Sequence, residues 1–123
     1  MLTKEDLYKA SDEALKPIYD YFQEVNGLKA DEYTTTLMNK MTNAIKATIR
    51  FNNVLNQAIQ EKLIFLDQHS VSLLNSFYSY YDSMPKSEVE VSESTGSVLM
   101  EIYTGMIQSM TPIALFVASQ FEE

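Results

Sequence analysis

The chain has no cysteine and no tryptophan, one histidine, three glycines and three prolines among 123 residues. Without cysteine there can be no disulfide framework, thiolate zinc site, iron–sulfur cluster or thiol nucleophile. With Gly27, Gly96 and Gly105 far apart, no glycine-rich phosphate-binding loop can form. His69 has no Glu-x-x-His or comparable companion for a metal, and neither a nucleophile elbow nor a triad pattern accompanies it. The acidic pairs Asp12/Glu13 and Glu88/Glu90 fall on a polar helix face and in an acidic stretch. There they lack the burial that raises a catalytic carboxyl's pKa. The expectation is a protein without enzymatic activity, catalytic residues, metal or cofactor.

Basic residues are also scarce, 9 against 17 acidic ones, for a net charge of −8. Residues 1–28 carry −3, residues 29–84 are neutral and residues 85–123 carry −5. Such a chain repels phosphate backbones, so direct nucleic-acid binding is not expected. The start, MLTKEDLYK, places charges where an export signal needs an apolar core, so the expected location is the cytoplasm. From Ser97 to Phe121 the one charge is Glu101, but Gln108, Gln120, Pro112 and the acidic flanks argue against a transmembrane span and for a helix buried on most of its circumference or one that presents a second apolar face outward.

What the chain does have is helical periodicity, with 46% hydrophobic residues in a length suited to a single domain over 1–123. Thr3 and Asp6 form a capping-box pair, and Leu7, Ala10, Ala14, Ile18, Phe22 and Val25 make an apolar stripe for a first helix over 4–25. Pro17 predicts a kink or break near Lys16, and Asn26-Gly27 a left-handed cap. Between Leu28 and Met84 there is neither Gly nor Pro. One helix over that stretch would be about 80 Å long. A compact domain of this size is about 35 Å across, so the segment breaks or the molecule is elongated. The polar run Asp67 to Ser70 predicts the break, giving helices over 31–66, with Asp31 as N-cap, and over 70–84. An acidic loop follows over 85–95, and a last helix over 96–120, bent at Pro112. In it Glu88 to Val91 alternates, too short a stretch for a sheet. The fold class is all-α, three or four antiparallel amphipathic helices in an up-and-down bundle.

The apolar stripe exceeds what a small monomer readily hides, which points to self-association and to contact with an apolar surface or a protein partner. The candidate contact residues are Phe51, Leu55, Ile59, Leu63 and Leu66, the aromatics Phe77, Tyr78, Tyr80 and Tyr81 on more than one face of the third helix, and Met106 and Met110. Asn52, Asn53, Asn56 and Gln57 interrupt the stripe and read as a solvated face or as a register device in an oligomer.

Residues 51–74, with Phe51-Asn52, Leu55, Glu61, Leu63, Leu66 and Gln68 on an amphipathic helix, resemble the central segment of short phasins. These small helical proteins coat polyhydroxyalkanoate granules. The resemblance covers about a fifth of the chain. It implies a self-associating granule coat whose apolar face meets polymer and whose acidic face meets water. A chain this small and acidic also suits an alternative role: a helical inhibitor or adaptor, phage-encoded and DNA-mimicking, that blocks a host enzyme such as a nuclease.

Overall fold

The computed structural model describes residues 1–27, 34–87 and 96–121, apart from the side chain of Ser97. Among them lie four helices and no strand: α1 (Lys4–Asn26), α2 (Thr35–Gln60), α3 (Gln68–Ser83) and α4 (Gly96–Ser119). The fold is all-α. Glu88 to Glu90, most of the acidic stretch and Asp31 lie outside the described residues.

Helix α1 starts as its sequence predicts. Asp6 N–H donates to Thr3 Oγ1 (3.0 Å) and Thr3 N–H to Asp6 Oδ2 (3.0 Å), each satisfying a donor that the helix end leaves unpaired. These bonds hold the Asp6 carboxyl below the ordinary aspartate range, the Thr3 backbone N–H contributing most. The break allowed for at Pro17 and the left-handed cap expected at Gly27 do not occur. The helix runs through Pro17 to Asn26 without a break, and Gly27 ends it in a right-handed conformation (φ −86°), its N–H donating to the carbonyls of Gln23 and Glu24. An α-turn of this kind needs no positive φ.

Helix α2 is shorter than the apolar period suggests. It is capped by Thr34, whose Oγ1 accepts from Leu37 N–H (3.0 Å), and it stops at Gln60 rather than at Leu66. The stop is a Schellman motif: Leu63 N–H donates to Ala58 O, and Lys62 N–H to Ile59 O, with Lys62 in the left-handed region at φ 61°. A side chain at that position has Cβ crowding that glycine avoids. Lys62→Gly is therefore expected to raise stability by about 0.5–1 kcal/mol, read as a higher urea midpoint at unchanged slope. Residues 61–67 then cross to α3, whose N-cap is Asp67; its Oδ1 accepts from Ser70 N–H at 2.7 Å, which lowers the Asp67 pKa.

The antiparallel relation of α1 and α2 is marked by Lys40, which pairs with Asp20 (3.2 Å) and Glu24 (3.3 Å) on α1. Their hydrogen bonds, that to Asp20 first, raise the pKa of Lys40. Helices α3 and α4 form a second hairpin, and α4 also lies against both α1 and α2. Among the described helices, the backbone of α3 approaches α4 alone. Helix α4 is thus the central element, which its composition requires. Met106, Ile107, Met110, Ile113, Ala114 and Val117 are all fully buried, because neighbours surround it on three sides. Its segment Val98–Ser119 is long and apolar enough to cross a membrane by length and composition, and half of it is buried in the bundle.

The core forms two clusters. The larger joins Leu7, Ala14 and Leu15 of α1, Phe51 and Leu55 of α2, Phe77 of α3 and the middle and end of α4. The smaller joins Ile18, Tyr21, Leu37, Met41, Ala44 and Ile107, and Ile45 and Tyr103 pack against both. Buried hydroxyls are satisfied within their own helices, Ser11 by donating to Tyr8 O and Thr48 to Ile45 O. No buried side-chain nitrogen or oxygen among the described residues lacks a partner.

Candidate interaction surfaces

Among the described residues no group of three or more His, Asp or Glu side chains converges as a metal site would require. His69 is exposed in the first turn of α3, and the neighbouring Asp67 carboxylate is engaged as the cap.

The residues expected to form contacts divide into three groups. Phe51, Leu55, Phe77, Met106 and Met110 are buried in the larger core cluster, so the intact bundle offers none of them to a partner. Phe51, Leu55 and Phe77 pack in one cluster with Met106 and Met110 of α4. The expectation that they form a surface is corrected to a packing role. Leu63, Leu66, Tyr78 and Tyr80 are half-buried against that cluster. Ile59 and Tyr81 are exposed, and the Tyr81 ring stacks on Phe77 at 6.0 Å between centroids and 24° between planes.

The polar cluster on α2 has an intramolecular use. The Tyr78 hydroxyl of α3 lies 3.0 Å from Asn52 Oδ1 and 2.9 Å from Asn56 Oδ1. With one proton it donates to one amide oxygen, and the other amide, turned about, donates to the phenol oxygen. This bond spans the gap where the backbones of α2 and α3 do not meet, and it fixes the register of α3. Asn53 and Gln57 are exposed, the latter donating to Glu61 Oε2 (2.7 Å). Tyr80 lies flat over Gly105 of α4, in the space that a Cβ there would occupy. An isolated glycine in an otherwise apolar helix is the sequence signal for such an approach.

The end of the bundle that gathers the start of α1, the end of α2, the start of α3 and the end of α4 carries the most exposed aromatic ring among the described residues. Phe65, in the α2–α3 connection, is 76% exposed, and Met1, Ile59, Val71 and Leu115 are exposed toward the same end. The connection is held from three sides: by the Schellman motif, by the Asp67 cap and by Leu2 N–H donating to Glu61 Oε1 at 2.9 Å. Sequence periodicity places Phe65 inside a helix, and no local signal marks it as exposed.

Two clefts among the described residues lie between helices. One, of about 280 Å³, lies between α1 and α2 over Ala10, Ala14 and Ala47, with Glu13 and Arg50 at its rim. The other, of about 230 Å³, lies between α2, Tyr103 of α4 and Met84 beyond α3. No protein-family model matches the sequence, and no curated protein or solved structure is significantly similar to it.

Proposed function

We propose that this chain is a non-enzymatic helical interaction protein that seats one end of its bundle on an apolar surface, a phasin-like granule coat being the most specific form. The observation that carries this reading is Phe65, a large apolar ring held in water by a connection whose backbone is tied at both ends. A ring so exposed contributes nothing to the core and stands ready to bury its surface elsewhere. Ile59, Val71 and Leu115 widen the contact beyond a single side chain. In this form the polymer contact comes from the connection within residues 51–74, while Phe51 and Leu55 of the same stretch hold the bundle together. A net charge of −8 keeps the rest of the molecule in water.

The test is co-sedimentation with polyhydroxyalkanoate granules. The wild-type chain is expected in the pellet. Phe65→Ser is expected in the supernatant with its helical circular dichroism and urea midpoint unchanged, since the ring packs on little. Wild-type protein that stays in solution would overturn the granule reading. Recovery from lysate of a basic protein, released as salt rises, would favour the acidic-inhibitor role instead.

A further inference from the structure

The cleft between α2 and the end of α3 is built unlike the rest of the surface. Tyr78 meets Asn52 and Asn56, and α3 ends at Ser83, so by this antiparallel register the first turns of α2 extend past the last turn of α3. Met38, Met41, Ile45 and Ile49 of α2 form one wall, and Met84 and Tyr103 close the other side. Three of the seven methionines in the chain meet here, and their unbranched, polarizable side chains adapt to a flexible apolar guest.

Two lining residues are polar without being aromatic. The Thr42 hydroxyl donates to Met38 O (2.9 Å), which leaves Lys46 as the side chain able to meet a charged group. Its ammonium pairs with no carboxylate among the described residues, in contrast to Lys16 and Lys40. No carboxylate among the described residues lines the cleft. In a protein of net charge −8, an apolar cleft whose one fixed charge among the described residues is positive selects for an anion against the overall field. The wall from Met38 to Ile49 runs about 16 Å along α2 at about 1.5 Å per residue, long enough to lay out an extended alkyl chain of medium length.

We propose that this cleft binds a medium-chain fatty carboxylate, its alkyl chain along Met38, Ile45, Ile49 and Met84 and its carboxylate on the Lys46 ammonium. This site is separate from the Phe65 end and stands whether or not that end meets a granule. The experiment is calorimetric titration of the full chain with hexanoate, octanoate and octylammonium, together with methyl NMR of the methionines. Affinity is expected to rise about fourfold per added methylene from hexanoate to octanoate, with shifts at the methyls of Met38, Met41 and Met84. Octylammonium is expected to bind at least tenfold more weakly. Lys46→Gln, a change at an exposed position, is expected to abolish that difference between head groups while leaving the fold intact. Equal binding of octanoate and octylammonium, shifts confined to other methionines, or no binding would overturn the proposal. So would a dimer in light scattering whose groove methyls do not respond to octanoate, because a second copy would then fill the cleft.

Discussion

Phe77→Ala is expected to destabilise the bundle by about 3–5 kcal/mol, a large part of the roughly 5–15 kcal/mol that a domain of this kind has to lose. The magnitude follows from how α3 is held. Among the described helices its backbone approaches α4 alone, and of its sixteen residues only Ser70 and Phe77 are buried. Phe77 is therefore the one large side chain of α3 that is fully buried, with Leu73, Leu74, Tyr78 and Tyr80 half-buried around it. Tyr78 and Tyr81 pack on its ring at 5.8 and 6.0 Å between centroids, so its removal also loosens the Asn52–Tyr78–Asn56 bond that sets the register. A helix this short has little stability of its own once its packing is lost. Urea unfolding should show the lower midpoint. Amide exchange should rise first in α3, while α1 and α2 retain protection. A loss below about 1 kcal/mol would mean that α3 is not anchored by this ring.

Gly105→Val is the second large effect, expected at about 1–3 kcal/mol of destabilisation. A glycine inside a helix is normally a weakness, and replacing it with a better helix former gains up to about 1 kcal/mol. Here the Tyr80 ring occupies the position of the new Cβ. Valine adds two methyl groups that its stiff χ1 cannot swing aside. Tyr80 must then leave its half-buried place against α4, and displacement outweighs propensity. A double-mutant cycle separates the two effects: in a Tyr80→Ala background, Gly105→Val should be near neutral. If it remains as costly there, the obstacle is something other than Tyr80.

The residues bear unequally on what could be read in advance. The start of α1 was legible, because an oxygen that satisfies an unpaired N–H must lie within three residues of it, as Thr3 and Asp6 do. The polar run Asp67 to Ser70 placed the start of α3 to within two residues, but α2 is capped by Thr34 and not by Asp31. The burial of α4 was legible too, since a helix with one charge in 25 residues has no polar face to give to water. The end of α2 was not. Leu63 and Leu66 continue the apolar period, while the residue that turns the chain is Lys62, which carries no mark of a left-handed position. The same limit applies to the contact surface. Periodicity identifies Phe51, Leu55 and Phe65 alike as apolar, but whether a side chain faces α4 or water depends on where the chain turns, and that turn, at Lys62, is five residues before the polar run that advertises one.

The central position of α4 bears on how the protein is made. Of the four helices it is the last to leave the ribosome, yet it supplies the surface that α1, α2 and α3 each pack against. Until it emerges, α1 and α2 can pair only as an open hairpin, and α3 has no helix to lie on. The nascent chain therefore carries its apolar stripes uncovered through most of its synthesis and consolidates late. That is the window in which a hydrophobic surface, a chaperone or a second nascent copy competes most strongly for them.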